Sequence, residues 1–423
     1  PDFLERRYSR ASRDWLGVLS IISAIFIHIG FSLYAGAVVL EGLFGIPKMV
    51  SIVSIAVLTG LYTLIGGLMA VVVTEAVQTI VLLVGAVLLT AIALSQAGGW
   101  SGVQQSVDPH LLTMLRPADD ASQLPWYSVI LGYPVIGIWY WCTDQTIVQR
   151  VLGAKDENHA RVGPLFAGFI KILPVFIFVL PGLICLALVN QGKLPPLDDS
   201  AQTYAVMITN LLPVGLSGIV AAALLAALMS TVSGALNSTA TLFSYDLYRR
   251  FKPDADDQHL VRVGRIVTVV AALLAIAWSP FLGQYKTIFQ GIVAIISYIA
   301  PPITTVFLLG VFWKHASSRA SIVTLIAGSA LGLGVFLADW FSEFTGWNVP
   351  FMMAGFYLFC LCCLVMVTVS LAAPDPEPGD RLNLVWAHPF DAFKAKGWPG
   401  IGNYKLLAAA LFAIMIGLYV VFG

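Results

Sequence analysis

One lysine stands alone within a long apolar run: Lys171, in GFIKILPVFIFVLPG, about two turns beyond Gly163. An ammonium at bilayer depth costs between about 2.5 and well over 10 kcal/mol. Such a residue faces a wet cavity or a partner, unless it lies near enough to the helix start to snorkel to the interface. Two carboxylates share that standing. Glu75, in VVVTEAVQT, and Asp144, in WYWCTDQTIVQR, either line a path for an ion or solute or pair at the interface with an arginine such as Arg150.

Hydroxyls supply a second candidate chemistry. In AAALLAALMSTVSGALNSTATLFSYD, Ala227, Ser230, Thr231, Gly234 and Asn237 recur at three- and four-residue spacing and so share one helix face. Such a face packs against another helix with its hydroxyls bonded back onto their own turn. Alternatively, Ser230 and Thr231 turn outward beside the Ala227 carbonyl and offer three hard oxygens to a small dehydrated cation. Earlier in the chain, Gly132, Pro134 and Gly137 precede Trp139, Tyr140 and Trp141. That spacing predicts a helix broken midway, with unwound carbonyls beside a cavity, or else a simple kink.

The elements that must hold these groups are membrane helices. Of 423 residues, 58% are apolar and only 11% charged, with a mean hydropathy of +0.86; a soluble globule carries about a quarter of its residues as charges. Chargeless runs of spanning length predict eleven helices, at 17–41, 49–67, 70–96, 127–148, 163–189, 211–240, 262–282, 287–312, 320–340, 352–372 and 404–422. If the start is cytoplasmic, eighteen of the 23 basic residues fall in inner loops, and only Lys48, Arg116, Lys193 and Lys286 in outer ones. That asymmetry is what the positive-inside rule requires of this parsing, and an odd helix count then puts the C-terminus outside.

Other classes are disfavoured. Acidic and basic residues cancel at 23 each, so net charge points to no nucleic acid. The cysteines, Cys142, Cys185, Cys360, Cys362 and Cys363, all lie in apolar runs without nearby histidines, which suits neither a disulfide framework nor zinc. No nucleophile, base and orienting group sit together at membrane depth, so neither an enzyme nor an organic cofactor is expected. The run AAPDPEPGD at 372–380 reads as a linker.

At these residues the chain resembles the solute:sodium symporter family, in its sodium/glucose cotransporter branch. The resemblance rests on Asp2-Phe3-Leu4-Glu5-Arg6-Arg7-Tyr8, on Tyr62-Thr63 through Gly66-Gly67 to Thr74-Glu75 and Gln78, and on Trp139-Tyr140-Trp141-Cys142-Thr143-Asp144-Gln145 with Ile147-Val148-Gln149-Arg150. Asn237-Ser238-Thr239, Thr241-Leu242-Phe243, Asp246-Leu247-Tyr248 and Phe307-Leu308-Leu309-Gly310 with Phe312-Trp313-Lys314 follow in order. It covers residues 1 to about 320, and the last three helices match only by hydropathy.

The resemblance implies an all-α polytopic membrane protein with the leucine-transporter-like inverted repeat of two five-helix units. Residues 1–98 would be the last three helices of the first repeat, 126–312 the whole second repeat and 318–423 peripheral helices. Three helices would be missing before Pro1, among them the first core helices. It further implies sodium ligands at Ala227 (carbonyl), Ser230 and Thr231 (hydroxyls), and a sodium exit path at Glu75, where the family usually has Asp. For the solute it implies His28, Tyr140 as an inner aromatic gate, Trp141 beside it, and Lys171 bonding a sugar hydroxyl. One departure stands out: Val293 occupies the place of a sugar-binding Gln, and Gln290 lies one turn away.

The expected activity is sodium-driven symport of a hexose or related polyol by alternating access, in a plasma membrane of the bacterial inner-membrane kind, by a monomer or weak oligomer. The alternatives are symport of a cyclitol, amino acid or carboxylate, and a non-transporting sensor or channel of the same fold. The exact solute and the sodium stoichiometry stay open.

Overall fold

The structure, a computed structural model, describes every residue except 120–122, 198, 286, 376–378 and 387; at 66–72, 379–380, 389 and 392 it describes the backbone alone. Lys286 and part of the 372–380 linker therefore lie outside the described residues. Among the described residues regular structure is helical, with one isolated bridge between Arg116 and Pro125. The cysteines are all unpaired.

A short helix, α1 (Asp2–Arg7), precedes the spanning elements α2 (Arg10–Phe44) and α3 (Lys48–Gln96). Then come α4 (Trp126–Cys142), α5 (Gln145–Leu152), α6 (Glu157–Asn190), α7 (Val214–Phe251) and α8 (Asp257–Gln284). The last four are α9 (Ile288–Phe312), α10 (Ser318–Trp340), α11 (Phe351–Ala372) and α12 (Tyr404–Phe422). Ten segments among the described residues are long and apolar enough to cross a membrane. Of the eleven expected spans, the one not among them is α4, whose 17 residues sit at the short end of the spanning range. Several helices start where a side-chain oxygen takes an orphan amide: Ser9 accepts from the amide of Ser12, Asp156 from His159, Asp256 from His259 and Ser317 from Ala320.

α3 combines two expected spans. Its helical range runs Lys48–Gln96, and the two apolar spans within it, Lys48–Ile65 and Val73–Gln96, follow α7 in opposite senses. Tyr62 donates to the Met229 carbonyl at 3.0 Å, and Thr63 and Leu64 share a cleft with Asn237 and Thr241. Glu75 then sits beside Gly234, and Gly85 beside Val220 and Ala223. Two antiparallel passes are therefore present, and the Gly66-Gly67 pair falls in the stretch described by backbone alone.

The expected break at Gly132–Gly137 is not there. α4 runs helically through Pro134, and the discontinuity comes later, at Thr143 and Asp144, before α5. Gly132 serves close approach instead: a Cβ there would lie 2.3 Å from the carbonyl oxygen of Met352 on α11. Proline removes one backbone donor, and packed neighbours such as Thr304, which donates to the Val135 carbonyl at 2.9 Å, hold the turn.

α9 is the central element, with 67% of its apolar window buried, whereas α12 has 0% and is peripheral. The C-terminal end of α9 is closed by the N-terminal segment. Arg7 Nε donates to the Gly310 carbonyl at 2.9 Å and its Nη2 to that of Trp313 at 3.0 Å, Tyr8 Oη donates to the Val306 carbonyl at 2.9 Å, and Phe3 stacks on Phe307. A cation on the last carbonyls satisfies acceptors the helix cannot, and meets the negative end of its dipole. Two sequence motifs some three hundred positions apart thus form one unit.

Candidate functional site: the end of α4

The six residues Trp139–Asp144 distribute contacts to three helices, α2, α5 and α6. Tyr140 and Trp141, half-buried in the last turn of α4, hold the Lys171 ammonium: its Nζ lies 4.4 Å from the Tyr140 ring centroid and 4.7 Å from that of Trp141. Lys171 itself sits at a discontinuity in α6, as the C-cap of the helical stretch Glu157–Ile170, just before a π-helical turn at Val175–Val179. Because α6 begins at Glu157, six residues before the expected start, Lys171 lies about 20 Å into the helix. The contact with the α4 rings gives the ammonium a partner within the protein.

On the opposite side, Trp139 is buried and stacks with His28, rings parallel to within 4° at 6.3 Å. His28 occupies another π-helical turn, Ala24–Ile29, of the kind often found at functional positions. Its Nε2 lies 3.0 Å from Asp144 Oδ2, with both side chains largely buried. Asp144 also accepts the Thr146 amide at 2.8 Å and so caps α5. Arg150, the arginine offered to either carboxylate, pairs with Glu75 and not with Asp144: its Nη2 donates to both Glu75 oxygens, at 2.6 and 2.9 Å. Beside it, Gln149 Nε2 donates to Ser238 Oγ at 2.8 Å. Gly234 makes room for the ion pair, since a Cβ there would meet Arg150 Nη2 at 2.8 Å.

The oxygen face of α7 lies farther along that helix. Thr231 Oγ1 donates to the Ala227 carbonyl at 3.3 Å, the back-bonded arrangement, which also places two of the expected cation ligands side by side. Ser230 is on the adjoining turn and its own carbonyl accepts from Ser233. These are hard, uncharged oxygens on a partly exposed face, and they fit a monovalent cation better than a soft metal.

Of the candidate residues, the structure joins Tyr140, Trp141 and Lys171 in one cluster, His28 with Asp144 in a second, Glu75 with Arg150 in a third, and Ala227 with Thr231. The described contacts do not bring Gln290 to any of these. It lies in the first turn of α9, its amide capped by Thr287, and the next residue packs against Phe31 and Tyr285. The His28–Asp144 and Gln149–Ser238 contacts were missed by sequence reasoning. The first left one readable trace, an acidic residue directly before an amphipathic stretch, which is an N-cap signal.

A profile described as "Sodium:solute symporter family" matches residues 1–328. The chain is 34% identical to a sodium/mannose cotransporter of Bos taurus over 91% of its own length and 72% of that protein's. It is 35% identical to sodium/myo-inositol cotransporter 2 of Oryctolagus cuniculus, over 91% of this chain and 64% of that one. It spans 55% of the relative of that name from Mus musculus, so it covers only part of the length of most such relatives. Among solved structures, a Na+-coupled sialic acid symporter in a substrate-bound outward-open state aligns with a TM-score of 0.74 at 22% identity, over 88% of this chain and 77% of that one. That likeness shows the leucine-transporter-like fold.

Proposed function

Because the chain belongs to the sodium:solute symporter family, we propose that it couples entry of sodium to uptake of a small polyhydroxylated solute, a hexose or a cyclitol, by alternating access. The observation that carries this reading is the Lys171 ammonium held over Tyr140 and Trp141. An ammonium on an aromatic face keeps its remaining N–H groups free to donate to hydroxyl oxygens, and aromatic faces accept the apolar C–H side of a sugar ring. The relatives named for mannose and myo-inositol have solutes of this chemistry, and they are cotransporters, not enzymes.

Sodium is the second substrate, held by the Ala227 carbonyl and the Ser230 and Thr231 hydroxyls once Thr231 releases its back-bond. Glu75 serves its exit: a cation reaching it competes with Arg150 for the same two oxygens. His28 acts through Asp144, fixing the end of α4 that carries Tyr140 and Trp141, and the solute lies on the other side of those rings. Gln290 reaches the solute only after the outer end of α9 moves inward. A membrane potential contributes about 2.3 kcal/mol per charge per 100 mV, so one sodium supports accumulation of up to tens-fold. The protein acts as a monomer or weak oligomer in a plasma membrane with Pro1 cytoplasmic and Gly423 outside, residues 126–312 forming the second of the two inverted repeats.

The test is uptake into proteoliposomes under an inward sodium gradient, with unlabelled sugars, cyclitols, amino acids and carboxylates as competitors. Sodium-dependent accumulation blocked by sugars or cyclitols is expected. Solute-evoked current without accumulation would show a channel, and competition by amino acids or carboxylates alone would overturn the polyol assignment.

A further inference from the structure

We propose that an anionic phospholipid binds between the first pass of α3 and the start of α8, with its phosphate on Arg265 and an acyl chain in the groove beside it. Two cavities meet there. A mixed one of ≈ 290 Å³ has apolar walls that include Leu260 and Val261 and carries the polar groups of Thr63, Asn237, Ser244 and Arg265. An apolar one of ≈ 460 Å³ is lined by Leu61, Leu64, Ile65, Ile266 and Val269, and Arg265 borders both. The apolar lining residues Leu61, Ile65, Ile266 and Val269 are all exposed, so in a membrane this groove faces acyl chains.

Three features select an anionic headgroup. Among the described residues Arg265 has no carboxylate partner, and the Ser244 hydroxyl, 2% exposed, has no hydrogen-bond partner. Ser244 lies on the π-helical turn Leu242–Tyr248 and abuts Gly264, where a Cβ would come within 3.2 Å of its oxygen. Beyond Tyr245, which also lines the mixed cavity, a second cleft holds Arg10, Arg13, Arg249 and Arg250. There Asp246 is taken by Arg13 and Asp14 by Arg250, leaving Arg10 and Arg249 without an ion pair among the described residues. Depth agrees as well. Arg265 is about 12 Å from the start of α8 and is the last charge before the apolar run that Ile266 begins and Val269 continues. A basic pocket between helices at the cytoplasmic surface is the setting in which acidic lipid headgroups are recognised.

This inference needs only the membrane-spanning fold and stands apart from the solute and sodium assignments. The test is native mass spectrometry of the full chain in detergent with added phosphatidylglycerol or phosphatidylcholine, with and without inorganic phosphate. Retention of phosphatidylglycerol over phosphatidylcholine is expected, weakened about fivefold in Arg265→Gln, the worth of one cation near an acidic surface, and restored in Arg265→Lys. Ile266→Trp, which fills the groove, should displace the lipid with the arginine intact, and it serves as the readout should Arg265→Gln not fold. Equal retention of both lipids, or no change in either variant, would overturn the proposal. Displacement by inorganic phosphate with Ile266→Trp silent would show a free-anion site and overturn the lipid assignment.

Discussion

Arg150 reaches Glu75 across 75 positions of sequence and donates to both of its carboxylate oxygens, tying the α4–α5 segment to the second pass of α3 beside Gly234. Both side chains are partly buried, so the charges are neither fully screened nor fully desolvated. Glu75→Gln and Arg150→Gln should each lower the thermal stability of the purified protein, by about 1.5–3 kcal/mol, the range for a hydrogen bond to a charged group. The double variant should cost clearly less than the sum, and an additive double-mutant cycle would show that the pair contributes no coupling.

For the solute, the Lys171 cluster gives a graded expectation. Lys171→Met keeps the apolar stem and removes the charge and all three donors, so the solute concentration for half-maximal uptake should rise about tenfold or more while sodium activation is retained. Tyr140→Phe keeps the ring beneath the ammonium and should change it far less. Initial-rate uptake against solute concentration measures both, and equal effects would deny the ammonium its place over the ring.

What was readable in the chain and what was not divides along a physical line. Spans are a local matter of apolar runs, and ten of the eleven expected ones are among the spanning helices; helix starts turn on capping residues such as Asp156, which lie outside the apolar run, so α6 begins six residues earlier than expected. Partner choice is not local. Asp144 lies six positions from Arg150, yet pairs with His28, 116 positions away, because the crossing of α2 behind α4 decides which group arrives. Arg7 likewise reads as one more basic residue of an inner loop until α9 is seen to end beneath it.

For the coupling ion, Thr231 allows the hydroxyl to be separated from the side chain's bulk. Thr231→Val keeps the shape and removes the oxygen next to the Ala227 carbonyl, whereas Thr231→Ser keeps the oxygen. Uptake titrated with sodium should show a several-fold higher half-activating concentration for the first and little change for the second. The same shift in both would mean that packing, and not coordination, sets the requirement.

Gly132 and Gly137 read alike in the sequence, as twin relaxations around Pro134, but they occupy different surroundings. A Cβ at Gly132 would be 2.3 Å from the Met352 carbonyl oxygen, a backbone atom that cannot turn aside, so Gly132→Ala must push α11 away from α4. At Gly137 nothing lies within 4 Å, so the added methyl meets open space. Gly132→Ala should therefore destabilise by about 1–3 kcal/mol, the usual cost of overpacking. Gly137→Ala should be neutral or stabilising by up to about 1 kcal/mol, because alanine loses less freedom on entering a helix. Thermal unfolding of the two variants in detergent compares them directly. If Gly137→Ala were the more damaging, α4 would need its flexibility there, and the break would belong where the sequence pattern first suggested it.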